Sequence, residues 1–339
     1  MKFGLQIAAA LVAVIAAAII FGTFERPPVT TVQRGYRGTA MEQVYNPRLL
    51  SAAMAANIAP ASLPQAPADG PKAGAVYKNV QVLKDVSVAQ FTRLMVSMTT
   101  WVAPQQGCAY CHRTAEMASD ALYTKVVARR MLQMVRHINA DWTSHVAGVG
   151  VTCYTCHRGQ PVPAVIWWNG DPQAATPGVA IPAVGKNHPS AAAGASSLPD
   201  DPFTPFLEQA NDIRVEAVQA LPGTDNHSIK QTDWTYALMI HFSEALGVNC
   251  TYCHNSRQFA SWEQSTPQRV TAWYGIRMVR DLNTQYLDGL AGVFPPQRLG
   301  PLGDAPKLNC ATCHRGAYKP LFGVAMAKEF PELTGAAHP

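Results

Sequence analysis

The chain has 339 residues, of which 48% are hydrophobic and only 14% are charged, and its formal net charge is +5. Charged residues fall well below the roughly 25% typical of soluble domains, which excludes a long disordered acidic or basic protein. Lysine and arginine are scattered, with no run beyond Arg129-Arg130, so nothing marks a nucleic-acid-binding surface. Outside the N-terminus no stretch is apolar for long enough to span a bilayer, which excludes a multi-pass transporter.

The first segment of the chain is apolar. From Leu5 to Phe21 only Gln6 is polar, and the run closes without the small-x-small pattern of a signal-peptide cleavage site. We therefore expect an uncleaved membrane anchor over residues 1–24, with a cleaved signal peptide as the alternative. Lys2 keeps the N-terminus in the cytoplasm, and either interpretation exports the rest of the chain. Residues 25–85 are predicted to form an extended arm punctuated by proline and glycine.

The eight cysteines form four Cys-x-x-Cys-His motifs, and no cysteine is left over. The motifs are Cys108/Cys111/His112, Cys153/Cys156/His157, Cys250/Cys253/His254 and Cys310/Cys313/His314. Two thiols three positions apart can bond the two vinyl groups on one side of a haem, and the adjacent histidine is then the proximal iron ligand. Structural zinc needs no histidine after each cysteine pair, and a thioredoxin-like motif occurs once, not four times. The sequence thus predicts four covalently bound c-type haems, which agrees with an exported location.

A helix is predicted before the first and the third motif. In both, apolar residues recur at i, i+1, i+4 and i+8, as on a helix with one buried face. They are Leu94, Met95, Met98 and Val102 in the first segment, and Leu238, Met239, Phe242 and Leu246 in the third. Because Met98 aligns with a phenylalanine, which cannot ligate iron, Met98 is predicted to pack in the core. Met95 and Met239 are the predicted distal ligands, although a methionine on such a face usually packs.

The second and the fourth motif follow helices of another type. The match of Met134-Val135-Arg136 to Met278-Val279-Arg280 aligns Met131, the predicted ligand of haem two, with Gly275. Glycine offers nothing to iron, so haem four takes its distal ligand from elsewhere or stays open. The candidates are His137, which aligns with Asp281, and His145, which lies past the helix. Spacing alone only slightly favours His145, and Met278 remains an alternative that is expected to pack in the core.

Several other residues receive provisional interpretations. Arg130, Arg277 and Arg280 could neutralise haem propionates, with solvated helix faces as the alternative. Trp167-Trp168 either forms a docking surface or packs under a connector. Ordinary surface or loop positions are assigned to His188, His227, His241 and His338, and Met41 is expected to ligate nothing.

The fold class is predicted as mainly α with long irregular segments. The first dihaem half spans residues 86–165, and a connector rich in proline, alanine and glycine spans 166–205, where the prolines preclude a regular helix. The second dihaem half spans 206–325, and a tail over 326–339 is expected to be loosely held.

These features resemble the tetrahaem cytochrome subunit of purple-bacterial photosynthetic reaction centres. The resemblance runs from about residue 30 to 320, and it includes the arm segments Val32-Gln33-Arg34-Gly35-Tyr36-Arg37-Gly38 and Met41-Glu42-Gln43-Val44-Tyr45-Asn46-Pro47. It implies two pseudo-symmetric halves, four haems in a row, and three haems ligated by histidine and methionine. The fourth is then ligated by two histidines, the distal one from the loop before the second motif, which is His145 here. Some members are lipidated on a cysteine that this chain lacks, so its anchoring would rest on the apolar helix.

The predicted function is electron transfer, not catalysis, because irons with two protein ligands have no open position. The resemblance implies a location on the periplasmic face of the photosynthetic membrane, against the reaction-centre L and M subunits and the core light-harvesting complex. Electrons would come from a soluble c-type cytochrome or a high-potential iron–sulfur protein and pass to the photo-oxidised bacteriochlorophyll pair. The alternatives are a multihaem oxidoreductase, which needs a five-coordinate haem, and a respiratory multihaem conduit.

Overall fold

The computed structural model describes residues 2–24, 30–32, 43–170, 191–213 and 229–334. Within these ranges the chain is mainly helical, as predicted. The α-helices are α1 (Lys2–Thr23), α2 (Pro47–Ala56), α3 (Ala73–Val76), α4 (Val88–Val102), α5 (Tyr123–Asp141), α6 (Thr143–Val146), α7 (Cys153–His157), α8 (Ile229–Leu246), α9 (Pro267–Asp281) and α10 (Cys310–His314).

Short 3₁₀ and π segments connect these helices. The first and third haem motifs begin in 3₁₀ turns at Gly107–Tyr110 and Cys250–Tyr252. The π segment Leu282–Leu287 continues α9, and a second one spans Thr204–Glu208. The remaining 3₁₀ turns are Ala191–Ala193, Asp288–Leu290, Pro296–Arg298, Pro320–Gly323, Met326–Glu329 and Pro331–Leu333.

The described strands form one small antiparallel pair. Strand β1 (Thr30–Val32) lies against β2 (Gln43–Tyr45), with Thr30 opposite Tyr45. The sheet ends directly before α2, whose first turn is capped by Asn46.

Helix α1 is exposed along its whole length and carries no acidic residue in its first turn and no basic residue in its last. Its 22 residues correspond to about 33 Å at 1.5 Å per residue, which matches the roughly 30 Å hydrocarbon core of a bilayer. Among the described residues it is the one helix long and apolar enough to cross a membrane, with a mean hydropathy of 2.5 over Phe3–Thr23. The helix therefore fits a membrane anchor.

Two of the helices that precede the haem motifs, α4 and α9, begin with residues that favour a helix start. Before α4, the amide of Gln90 donates to Ser87 Oγ at 3.1 Å, and Gln90 Oε1 accepts from the Ser87 amide at 3.3 Å. Helix α9 starts with Pro267, whose missing N–H costs nothing at the first helical position. The α4 cap thus fixes the helix start that precedes Met95.

The arm over residues 25–85 is not wholly extended, because α2 and α3 form within it. The arm also joins the two halves of the chain. Buried Asn57 donates to the Arg315 carbonyl at 3.0 Å, and its Oδ1 accepts from Arg158 Nη2 at 3.1 Å and from the Leu321 amide at 3.2 Å. Asn57 thus links the Arg158 side chain, just after the second motif, to the backbone after the fourth motif.

The expectation of a loosely held tail is wrong for residues 326–334. Phe330 and Leu333 have no exposed surface, and the Phe330 ring packs edge-on against Trp101 at a centroid distance of 4.7 Å. Arg93 lies over the Phe330 ring and donates to the Glu329 carbonyl at 2.6 Å. Composition near a terminus suggested mobility, but these apolar side chains bury themselves against α4. Residues 335–339 lie outside the described part.

The connector contributes buried side chains, among them Trp167. Trp167 is 6% exposed and its Nε1 donates to the Leu308 carbonyl at 2.8 Å, so it packs against the second half of the chain. Trp168 is exposed. Of the two interpretations of this pair, packing therefore applies to Trp167, and only Trp168 is available to a partner.

Candidate cofactor site

All sixteen predicted cofactor-binding residues line one continuous cavity of about 2550 Å³. Ordinary small-molecule pockets measure about 300–1,000 Å³, so this cavity has room for several cofactors. The lining residues include the eight motif cysteines, the four motif histidines and the four predicted distal ligands Met95, Met131, Met239 and His145.

The first and the third motif share one local geometry. Each runs through a 3₁₀ turn, and the histidine ring that follows has its Nδ1 at a backbone carbonyl five residues on. His112 Nδ1 lies 2.9 Å from the Met117 oxygen, and His254 Nδ1 lies 2.8 Å from the Phe259 oxygen. A threonine at the start of the next helix donates a hydrogen bond to each turn. Thr124, in the first turn of α5, donates to the Tyr110 carbonyl, and Thr266, directly before α9, donates to the Tyr252 carbonyl.

The second and the fourth motif share another geometry. They form the one-turn helices α7 and α10, which end in Arg158 and Arg315, both in the left-handed region at φ of 52° and 50°. Here the histidine Nδ1 meets a carbonyl three residues on, at 2.9 Å for His157 with Gln160 and 2.8 Å for His314 with Ala317.

The glycine of Cys-His-Arg-Gly is required by its backbone. Gly159 and Gly316 both have φ of 79°, a region that favours glycine. The amide of Gly159 donates to the Trp101 carbonyl at the end of α4, and the amide of Gly316 donates to the Ala245 carbonyl at the end of α8, both at 2.8 Å. The second motif is therefore bonded to α4, which precedes the first motif. The fourth motif is bonded in the same way to α8, which precedes the third motif.

All four motif histidines are prepared to bind a metal through Nε2. A carbonyl only accepts hydrogen bonds, so the Nδ1 atom of each ring must carry the proton. This hydrogen bond fixes the tautomer and the orientation of the ring, as in most metal-ligating histidines. Burial lowers the pKa of His157 and His254 and lowers that of His314 to about 4. These rings are therefore neutral at pH 7 and keep a free lone pair at Nε2.

Four of the motif cysteines are held as neutral thiols. Burial raises the pKa of Cys111 to about 11 and the pKa values of Cys153, Cys253 and Cys310 to about 12. A zinc site would need thiolates gathered around one point. Among the described residues no three or more histidine, cysteine or acidic side chains are arranged to hold a bare metal ion.

The second and fourth motifs meet at their second cysteines. The Sγ atoms of Cys156 and Cys313 are paired. A cysteine in a disulfide cannot form a thioether to haem, so this pairing competes with the predicted attachment at these two positions. Thioether attachment there stays a prediction.

The predicted methionine ligands lie on the cavity wall. Met95, Met131 and Met239 are partly buried and pack against the core. Met98, Met134 and Met278 also line the cavity, and the last two are buried at 6% and 8% exposure. Position on the wall therefore does not by itself separate the predicted ligands from the predicted core residues, and Met41 lies outside the described residues.

His145 fills the space that Gly275 leaves on α9. A β-carbon built on Gly275 would lie 2.6 Å from His145 Cε1 and 2.9 Å from its Nδ1, closer than real Cβ contacts come. His145 lies in the one-turn helix α6 and not in a loop, and its Nδ1 lies 2.9 Å from the Thr271 carbonyl on α9. Its ring is 6.2 Å from the His314 ring, centroid to centroid, and burial lowers its pKa. His145 thus presents a neutral ring with a free Nε2 opposite the fourth motif histidine.

His137, the competing candidate, has both ring nitrogens engaged. Its Nδ1 lies 2.6 Å from Asp141 Oδ2, and its Nε2 lies 2.6 Å from Asp281 Oδ2. No lone pair is then left for iron. The geometry therefore favours His145 over His137.

The interpretation of His241 as a surface or loop histidine is wrong. The residue lies within α8, is 4% exposed, and its ring packs edge-on against Phe203 at 4.6 Å. Burial lowers its pKa to about 4. The apolar residues on both sides of it in the sequence were the available signal. His188, His227 and His338 lie outside the described residues.

The three arginines assigned to propionates have protein partners. Arg130 lies over the Tyr286 ring and donates to the Gln285 carbonyl, and Arg277 lies over the Trp273 ring. Arg280 donates to the Phe206 carbonyl at 2.9 Å. Arg277 and Arg280 also line the cavity, so a role toward propionates remains a hypothesis for them.

Sequence reasoning missed the backbone acceptors of the histidines. Carbonyls at Met117, Gln160, Phe259, Ala317 and Thr271 orient the rings, and carbonyl groups leave no trace in side-chain identity. It also missed Asn57, a single polar residue in an unassigned arm.

Four Cys-x-x-Cys-His motifs whose histidines line one cavity define a c-type cytochrome. Comparison with known proteins is more specific. Residues 25–334 match the family described as photosynthetic reaction centre cytochrome C subunit, and the chain belongs to this family. Membership makes the chain an electron carrier of photosynthesis that binds c-type haem, in agreement with the resemblance seen in the sequence.

Individual relatives agree. A photosynthetic reaction center cytochrome c subunit from Rubrivivax gelatinosus is 53% identical over 337 residues, which cover 99% of this chain and 92% of the relative. Its counterpart from Thermochromatium tepidum is 51% identical over 97% of this chain and 80% of that protein. The subunit from Roseobacter denitrificans is 40% identical over 97% of this chain and 92% of that protein.

Proposed function

We propose that the chain binds four c-type haems and passes electrons through them from a soluble periplasmic carrier to the photo-oxidised bacteriochlorophyll pair of the reaction centre. The observation that carries this proposal is the single cavity lined by all sixteen predicted residues. A cofactor row needs such continuity, because electrons must move between neighbouring haems without leaving the protein.

The proposed ligand sets pair each motif histidine with one distal residue. They are His112 with Met95, His157 with Met131, His254 with Met239, and His314 with His145. Support for the last pair comes from Gly275, because its missing side chain admits the His145 ring. A metal–nitrogen bond to histidine is about 2.0 Å, so two rings with centroids 6.2 Å apart leave room for one iron between them.

We further propose that the chain consists of two equivalent dihaem halves over residues 86–165 and 206–325, joined by the connector 166–205. The repeated contacts support this division. The amide of Gly159 bonds to the end of α4 in the first half, and the amide of Gly316 bonds to the end of α8 in the second. In both halves a threonine at the start of the next helix also donates to the turn of the first-type motif.

Bound haem supplies a one-electron couple whose potential is higher with methionine opposite histidine than with two histidines. The residues of the chain then determine the differences between sites: three methionines favour high potentials and His145 favours a lower one. Two protein ligands on every iron leave no position for a small substrate, which supports electron transfer over catalysis.

The location and partners follow from the family and from α1. We propose that α1 anchors the chain and that residues after 24 lie on the periplasmic face, against the L and M subunits and the core light-harvesting complex. A small soluble c-type cytochrome or a high-potential iron–sulfur protein is the proposed donor.

Haem content is tested first. A pyridine haemochrome assay on the purified full chain should give four haems per polypeptide. Intact mass under non-reducing conditions should carry the mass of four haems with no additional loss of two hydrogens. A chain with fewer haems and an oxidised Cys156–Cys313 pair would contradict the assignment of those two cysteines.

Function is tested by carbon monoxide and by light. The ferrous protein should bind no carbon monoxide, whereas strong binding at one haem would favour a multihaem oxidoreductase. In membranes a flash should oxidise the haems, and membranes lacking this subunit should show no such signal. Absence of flash oxidation in haem-loaded membranes would instead favour a respiratory conduit.

A further inference from the structure

Arg158 bridges the second and the fourth haem motif. It follows His157 directly in the chain, and its Nη2 donates at 3.0 Å to the carbonyl of Cys313, the residue before His314. The two motifs approach each other closely here, with the Cα atoms of Cys156 and Cys313 4.5 Å apart. The guanidinium therefore contacts both segments that carry the predicted proximal ligands of haems two and four.

The hydrogen-bond acceptors of the Arg158 guanidinium are all uncharged. They are the carbonyls of Thr155 at 3.0 Å, Ala56 at 3.2 Å and Cys313 at 3.0 Å, and Oδ1 of Asn57 at 3.1 Å. Among the described residues no carboxylate forms an ion pair with Arg158, and the nearby charge of Arg315 has the same sign. Because arginine keeps its proton in proteins, the contact between the two motifs holds an uncompensated positive charge.

This charge is shielded from solvent and stands behind the cavity wall. Arg158 is partly buried, its guanidinium lies 5.6 Å from the Tyr154 ring centroid, and it is not among the residues that line the cofactor cavity. Four of its five N–H donors are directed at the protein, so it is not arranged to bind a haem propionate. A charge in such a partly enclosed position is screened less than one in water.

We propose that Arg158 is a fixed positive charge that raises the midpoint potentials of haems two and four together. A ferric haem carries one more positive charge than the ferrous haem, so a nearby guanidinium favours the reduced form. Each haem gains one electron from the upstream donor and loses it to the next acceptor, and Arg158 exchanges no proton in either step. The inference rests on the proposed function, because it needs haems bound at both motifs.

The test uses the full chain in detergent, with its four haems first counted by pyridine haemochrome and their midpoints measured by redox titration. Arg158→Gln should lower two of the four midpoints by about 59 mV each, which is a tenfold change in the equilibrium constant for reduction. The haem without a methionine-to-iron charge-transfer band should be one of the two. Arg158→Lys keeps the charge and should shift both by less than half as much.

The matched control is Arg48→Gln, the same substitution at an exposed arginine outside the cavity wall. It should shift no midpoint by more than a small fraction of the Arg158→Gln effect, because a charge in water is screened by salt.

Two variants of Asn57 separate charge from packing. Asn57→Asp keeps an acceptor for Arg158 Nη2 but adds a negative charge beside the guanidinium, so it should lower the same two midpoints. Asn57→Ala removes the hydrogen bonds of this side chain without adding a charge, and it should leave the midpoints close to those of the wild type. This comparison decides the proposal even if Arg158→Gln fails to bind its haems.

Equal shifts in Arg158→Gln and Arg158→Lys, or in both Asn57 variants, would show a merely structural role and overturn the proposal. Unchanged midpoints in an Arg158→Gln chain that holds four haems would also overturn it. Fewer than four haems in the wild-type chain would instead count against the proposed function.

Discussion

A β-carbon on Gly275 would lie 2.6 Å from Cε1 of His145, so the glycine of one half and the histidine of the other fit each other. The helix position that carries Met131 in the first half is thus left bare in the second. An imidazole from α6 enters the space, anchored by the Thr271 carbonyl. The missing side chain at position 275 therefore supports the proposed ligation of haem four by His145.

Restoring a side chain at this position should expel His145. In Gly275→Met we expect a change from two histidines to histidine and methionine at haem four. A new methionine-to-iron charge-transfer band in the near infrared and a higher midpoint potential for one haem would show it. Gly289→Ala is the control, since nothing lies within 4 Å of a β-carbon there. An unchanged spectrum in Gly275→Met would contradict the assignment of His145.

The predicted methionine ligands can be distinguished from their packed neighbours by substitution. Met239→His should lower one midpoint potential by more than about 60 mV, because a second histidine stabilises the ferric state. For a one-electron couple, this shift corresponds to a tenfold change in the equilibrium constant for reduction. Met98→Leu should leave all four midpoints within that margin, although Met98 also lines the cavity. Redox titration followed in the haem α-bands measures both. If Met98→Leu produced the larger shift, the alignment of the first segment would be wrong.

The tail contributes to stability despite its position near the C-terminus. Phe330→Ala should reduce the free energy of unfolding by about 3–5 kcal/mol, since a fully buried ring that contacts Trp101 and Arg93 is removed. Leu302→Ala, at an exposed site, should cost at most about 0.5 kcal/mol. Urea unfolding of the haem-loaded chain distinguishes the two. Equal costs would show that residues 326–334 are dispensable.

Glu332 should make stability depend on pH. Burial raises its pKa, and neither carboxyl oxygen has a hydrogen-bond partner among the described residues. A raised carboxyl pKa means that the folded state binds the proton more tightly than the unfolded state. Stability from this group is then present at low pH and is lost as pH rises from about 4 through the folded-state pKa.

Glu332→Gln should therefore raise the melting temperature at pH 8 and leave it nearly unchanged at pH 4. Glu263→Gln, at an exposed position, provides the control. A lower melting temperature at pH 8 would mean that the ion pair with Arg93, 3.9 Å away, outweighs the cost of burial.

Local patterns were enough for much of this protein. The Cys-x-x-Cys-His motifs place two thiols and a histidine within one helical turn, so their chemistry follows from covalent spacing alone. The same holds for the helices before them, whose apolar faces are periodic, and for the apolar run that becomes α1. Family membership, seen first in these motifs and in the arm, is confirmed by the match over residues 25–334.

Contacts between distant segments could not be read in this way. Whether His137 or His145 is free to bind iron depends on Asp281 and Thr271, each more than 120 residues away in the chain. The burial of His241 and of residues 326–334 depends likewise on which surfaces meet them. The sequence by itself determined the cofactor type, the four Cys-x-x-Cys-His motifs and the apolar N-terminal helix, because these require only neighbours along the chain. Only the tertiary structure decided which histidine keeps a nitrogen for iron. Both ring nitrogens of His137 face carboxylates, whereas His145 bonds a carbonyl through Nδ1 and keeps the lone pair on Nε2.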